Sequence, residues 1–150
     1  MTRRNPAAYT LIESAVAVGI FVLLVAVSIP AFLGYQKSSK LKNEARLMAT
    51  NIRLAQQYAI TEQKIYYFKI FPAADDNYYQ IINSDTGSVI RSVDLNAEIR
   101  VSQITGLSDN AIRFTATGGV IETGNIYLAN DQPATSSLQI KPSGYVEINE

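Results

Sequence analysis

Hydrophobic and polar positions divide this chain into three textures. From Ser14 to Gln36 no residue is charged and most are apolar. The 21 positions from Ser14 to Gly34 would make about 30 Å of helix, which matches the thickness of a hydrocarbon core. After Tyr35 the pattern becomes one-sided. Leu41, Ala45, Met48, Ile52, Ala55 and Ala59 are spaced by fours and threes, which is one face of an amphipathic helix. Lys42, Asn43, Arg46, Asn51, Arg53 and Gln57 mostly fill the other faces. The pattern predicts one long helix from about residue 10 to about Thr61, interrupted near Pro30. Its first half is apolar all round. Its second half carries a stripe that needs cover from the rest of the chain.

From Lys64 the period shortens. Lys64–Phe71 is rich in Ile, Tyr and Phe and is stopped by Pro72, as expected of a strand. Further short strands are predicted at Tyr78–Ile82, Val89–Val93, Ile99–Ile104, Ile112–Thr115, Val120–Ile121, Asn125–Leu128, Leu138–Ile140 and Tyr145–Ile148. Ser84-Asp85-Thr86-Gly87, Gly118-Gly119 and Pro142-Ser143-Gly144 punctuate them as turns, and Asn130–Ser137 reads as the most polar loop. Strands this short and frequent predict two packed antiparallel sheets. The expected class is therefore α+β, a long helix packed on a C-terminal antiparallel β-sandwich.

Composition narrows the chemistry. The 150 residues suit one modest domain plus an anchor, and 13 basic against 13 acidic side chains leave no net charge to attract nucleic acid or anionic lipid. There is no histidine and no cysteine. That removes the commonest general base, a thiol nucleophile, a disulfide framework and any ordinary zinc site. No phosphate-binding glycine loop is present either, so an enzyme is the weakest reading.

The N-terminus admits three readings. Arg3-Arg4 before an apolar run, with Ala26-Val27-Ser28 as a cut site, would be a secretory signal. Glu13 at the mouth of that run argues against it, as does the helical pattern that continues past the cut. A plain membrane anchor is the second reading, with basic residues on both flanks leaving its orientation open. Neither accounts for Glu13, since a carboxylate near a bilayer centre costs about 2.5–3.5 kcal/mol, and less near the interface.

The third reading uses Ala8, Tyr9-Thr10-Leu11-Ile12-Glu13 and Pro30 together. This pattern resembles a type IV prepilin signal: a short basic leader, an aromatic first residue, an acid at the fifth mature position and a proline at the twenty-second. The departure is Ala8, where the family usually has glycine. The resemblance implies a leader at 1–8, a membrane and fibre-core helix at 9–36 and a globular domain at 37–150. It implies cleavage by prepilin peptidase between Ala8 and Tyr9, and N-methylation of Tyr9. It further implies that Glu13 pairs with the new amino group of a neighbouring subunit during assembly. The competing role for Glu13 is local, either snorkelling to the interface or pairing with its own N-terminus one turn away. Pro30 would kink the helix.

Downstream, Asn51-Ile52-Arg53-Leu54-Ala55, Ile112-Arg113-Phe114 with Gly118-Gly119, and Leu138-Gln139-Ile140 with Pro142-Ser143-Gly144 resemble the GspH/FimT group of minor pilins and pseudopilins. In that group arginine commonly follows the last glycine, whereas Tyr145 does here. The resemblance implies a structural subunit of a type IV pilus or a type II secretion pseudopilus. Its partners would be prepilin peptidase, sister subunits, the inner-membrane assembly platform and membrane lipid, with no cofactor. It implies residence in the inner membrane as a single pass, with the globular domain outside the cytoplasm. Two alternatives stay open: a major pilin, and a DNA-binding minor pilin. Nucleic acid is disfavoured because Lys141 is the one cation after Arg113, while Glu147 and Glu150 follow. Asp75-Asp76-Asn77 and Asn83-Ser84-Asp85 offer oxygen ligands for calcium but fit ordinary turns better.

Overall fold

The computed structural model describes residues 10–72, 77–131 and 135–149. One helix, α1, spans Leu11–Glu62, 52 residues, with Pro30 inside it. The predicted interruption at Pro30 does not occur. Proline removes one backbone donor and crowds the carbonyl of Ala26, but helical turns on both sides carry the chain through. The helix ends where Gln63 turns left-handed at φ 54°. The Lys64 amide then donates back to the Ala59 carbonyl at 3.2 Å, a Schellman-type stop.

The chain divides into a unit up to Gln36 and a unit from Lys37 onward. In the first, large apolar side chains are uncovered, from 39% exposed at Val25 to 89% at Leu11. That stretch is long and apolar enough to cross a membrane. In the second, the helix stripe Leu41, Ala45, Met48, Ile52, Ala55 and Ala59 is buried, as the spacing requires.

Among the described residues eight strands follow in two antiparallel four-stranded sheets. The first sheet runs in the order β3-β2-β1-β5 and the second β4-β6-β7-β8. In the first sheet β1 is Tyr66–Phe71, β2 Tyr78–Asn83, β3 Val89–Asp94 and β5 Ala111–Phe114. In the second, β4 is Arg100–Thr105, β6 Gly124–Ala129, β7 Thr135–Ile140 and β8 Val146–Asn149. Strict alternation sets the faces of the first sheet. Tyr66, Phe68 and Ile70 on β1 point inward beside Tyr79 and Ile81 on β2, while Tyr67, Lys69 and Phe71 point outward. Ile126, Leu128, Leu138, Ile140 and Val146 line the inner side of the second sheet. They join the helix stripe in one core. Alanines at 45, 49, 55 and 59 bring the helix backbone close to this core, and Phe68 stacks on Tyr79 with ring centres 4.8 Å apart.

Two expectations need correction. Val120–Ile121 is not a strand; Val120 makes only an isolated bridge to Phe114. The loop expected at Asn130–Ser137 is shorter, because β7 begins at Thr135. Pairing of Ser136 with Leu128 and Thr135 with Ala129 carries these polar residues into the sheet, where burial of the Ser136 side chain belies its polarity. A single 3-10 turn at Ser108–Asn110 precedes β5 and had no periodic signal to announce it.

Candidate functional site

Four places assemble the residues singled out by the sequence, beginning with the helix start. Ala8 and Tyr9 lie outside the described residues. Thr10 and Glu13 form a reciprocal capping box. The Glu13 amide donates to Thr10 Oγ1 at 3.3 Å, and Glu13 Oε2 accepts from the Thr10 amide at 3.2 Å and its hydroxyl at 3.3 Å. The carboxylate also faces the positive end of the helix dipole. The spacing Thr-x-x-Glu is the sequence signature of this local partner. Further along, Ser28 Oγ donates to the Leu24 carbonyl at 2.7 Å, two residues before Pro30.

The second place is a clasp between the helix and two glycine turns. Gln56 Nε2 donates to the Gly118 carbonyl at 2.7 Å and to the Ser143 carbonyl at 3.0 Å. Both turns need glycine. Gly118 has φ 84°, and a Cβ there would lie 2.6 Å from Ile60 Cδ1; at Gly144, φ 80°, a Cβ would collide with the Gln56 amide and the Gly118 carbonyl. One turn along the helix from Gln56, Arg53 Nη2 donates to the Val146 carbonyl at 3.4 Å and its guanidinium stands 5.7 Å from the centre of the Tyr145 ring. The separated motifs around Arg53, Gly118 and Gly144 are therefore one structural joint.

Two buried tyrosine hydroxyls fix the helix to the first sheet. Asn51 Nδ2 donates to Tyr79 Oη at 2.9 Å and to the Leu47 carbonyl at 3.0 Å. Burial, reinforced by the nearby Glu44 charge, pushes the Tyr79 hydroxyl up to about 12. Glu44 itself is held above the usual carboxylate range by burial, opposed by a hydrogen bond from the Asn96 amide. Its Oε1 is buried without a partner. At the other end Tyr66 Oη donates to Glu62 Oε2 at 2.6 Å and accepts from Asn83 Nδ2 at 3.0 Å. Asn83 Oδ1 in turn accepts from the amides of Asp85 and Thr86, so its oxygen serves the turn. Asn83-Ser84-Asp85 is thus an Asx turn, and Asp75 and Asp76 lie outside the described residues.

Arg113 organises the fourth place. It pairs with Asp109 at 2.8 Å and Glu122 at 3.6 Å and stands 5.8 Å from the centre of the Tyr67 ring. Glu122 also accepts from the amide and hydroxyl of Ser108 at 2.7 and 2.8 Å, and these bonds, chiefly, hold its carboxyl below the usual range. The network braces Asp109 and Asn110, both left-handed at φ 56° and 54°. Lys141, the late cation weighed for DNA contact, is tied to Glu147 at 2.9 Å.

A long helix whose lower stripe is covered by two antiparallel sheets is the architecture of minor pilins and pseudopilins. The crystal structure of the type IV minor pilin FimU of Pseudomonas aeruginosa superposes with a TM-score of 0.61 at 15% identity, covering 75% of this chain and 90% of that one. The minor pseudopilin EpsH from the type 2 secretion system of Vibrio cholerae gives 0.59 at 11% identity, covering 73% and 96%. Comparison with curated protein sequences gives no match. Residues 44–144 match the family Type II transport protein GspH, and the chain belongs to that family.

Proposed function

We propose that this chain is a minor pilin or pseudopilin, a structural subunit that sits in a membrane before it is added to a fibre. The carrying observation is the contrast along α1: bare apolar surface up to Gln36, and a covered stripe from Leu41 within a GspH-type domain. Uncovered apolar surface of that extent needs lipid or sister helices. The bonding of the polar clusters supports a non-enzymatic role. Asn51, Gln56, Arg113 and the buried tyrosines are engaged in holding elements together.

Processing completes the reading. Prepilin peptidase removes residues 1–8 between Ala8 and Tyr9 at the cytoplasmic face of the inner membrane, and Tyr9 is N-methylated. The new ammonium of Tyr9 is neutralised by Glu13 of a neighbour as the helix leaves lipid, because opposite charges attract strongly where water is scarce. The domain from Lys37 stays outside the cytoplasm, and the assembly platform adds the subunit to sister subunits.

Intact-mass measurement of the membrane-extracted protein tests the reading, together with its presence in sheared fibres. A chain starting at methylated Tyr9 and recovered in the fibre fraction is expected. A full-length chain, or a start after Ser28, overturns the processing step; absence from fibres overturns the structural role.

A further inference from the structure

We propose that Arg53, seated on Tyr145, anchors a docking surface for a neighbouring subunit that presents a carboxylate. The inference rests on the fibre-subunit reading above and names the chemistry of one contact.

Arg53 is held but not neutralised. Its guanidinium is fixed by the Val146 carbonyl and the Tyr145 ring. Among the described residues no carboxylate lies within ion-pair distance. Lys40 meets Glu98, Arg100 meets Asp131, Arg113 meets Asp109 and Glu122, and Lys141 meets Glu147; Lys64, Lys69 and Arg91 meet no carboxylate among the described residues, and what distinguishes Arg53 is its seat on both a ring and a carbonyl. Helical spacing puts Thr50, Arg53, Gln57 and Ile60 on one outward face with no acid among them. All four are exposed.

Tyr145 supplies the second half of the anchor. It is 57% exposed, with the cation over its ring, and Ile60 at 44% adds an apolar contact two turns along. An exposed aromatic ring beside an arginine has the composition of an interface hot spot. Because the ring and the carbonyl already orient the guanidinium, a partner carboxylate would meet a preorganised fork suited to bidentate pairing. A protein carboxylate fits better than a phosphate chain, since the anchor offers the single guanidinium of Arg53 and DNA binding needs many cations.

The test uses the full chain in cells that assemble the fibre, with a photo-crosslinking residue at Gln57. The expected adduct joins another pilin-like subunit through a peptide containing Asp or Glu. Arg53→Glu should cut its yield by about tenfold or more, Tyr145→Ala by less, and Arg53→Lys should keep part of it. Replacing the captured carboxylate by Lys should restore the adduct with Arg53→Glu. Thermal melting of each variant should stay cooperative, lowered by the lost contacts to Val146 and the Tyr145 ring but with the folded state still populated at the assay temperature; if Arg53→Glu does not fold, Arg53→Gln serves the same comparison. If the parent reaches sheared fibres and the adduct ignores Arg53, or joins nucleic acid, lipid or a surface without a carboxylate, the docking proposal is wrong. If the parent is absent from fibres, the fibre reading falls and the docking proposal with it.

Discussion

Gln56 Nε2 lies 2.7 Å from the Gly118 carbonyl, so one amide on the helix holds the turn that carries the chain from the first sheet to the second. The same amide reaches the Ser143 carbonyl, in the turn between β7 and β8, at 3.0 Å. Gln56→Ala removes two hydrogen bonds, each worth about 1 kcal/mol net, and should lower the unfolding free energy by about 1–2 kcal/mol. Gly144→Ala should cost more, at least about 2 kcal/mol, because a methyl there meets both the amide and the Gly118 carbonyl at a left-handed φ. Denaturant unfolding of a fragment beginning at Lys37 measures both.

That fragment should fold on its own. The core stripe from Leu41 to Ala59 is covered by the two sheets, and among the described residues none of the buried core lies before Leu41. The expected outcome is a soluble monomer with a cooperative unfolding transition. Persistent aggregation would mean that the stripe depends on residues before Lys37.

Stability should depend on pH through Glu44. Burial raises its pKa in the folded state, so between the ordinary carboxylate value and that raised value the folded chain holds more protons than the unfolded one. Stability attributable to Glu44 is therefore greatest below the unfolded pKa and declines as pH rises through the window, reaching its minimum above the folded pKa. Glu122 works in the opposite direction. Its lowered pKa contributes stability above the unfolded value that is lost as pH falls through the folded value. Glu44→Gln removes the first slope alone. Melting curves of the parent and Glu44→Gln should therefore differ by an amount that changes between pH 4 and pH 7. A constant offset would show that Glu44 titrates normally.

Periodicity alone located the helix stripe and seven of the strands, because burial there is decided by residues a few positions apart. It misplaced the start of β7, since nothing local in Thr135-Ser136-Ser137 reveals that β6 lies alongside. The clasp was half legible. Gly118-Gly119 and Pro142-Ser143-Gly144 stood out as turns, but their common partner Gln56 lies 62 and 87 positions away from its two acceptors. Helical spacing puts Arg53 on a polar face, and its seat on Tyr145, 92 positions on, has no local signal. At the helix start the reverse occurred. The Thr10–Glu13 box is written in four residues, Thr-x-x-Glu, within which the hydrogen-bonding role is local.

Two roles for Glu13 can therefore be separated by substitution. As a cap it supplies an acceptor to Thr10, worth about 1 kcal/mol at a helix start. As a counter-charge it would meet the Tyr9 ammonium of a neighbour, where an unpaired charge out of water costs several kcal/mol. Glu13→Gln keeps an acceptor oxygen for the cap and removes the charge. Glu13→Ala removes both. Thr10→Ala breaks the hydroxyl half of the box and leaves the charge. If pairing dominates, Glu13→Gln and Glu13→Ala should be equally poor in sheared fibres while Thr10→Ala stays near the parent. All three should be present in the membrane fraction at parental levels, since the apolar run from Ser14 is untouched. If instead Glu13→Gln assembles normally and Thr10→Ala does not, the carboxylate serves the helix start and not the neighbour. The larger energy of the charge term makes the first outcome the expected one.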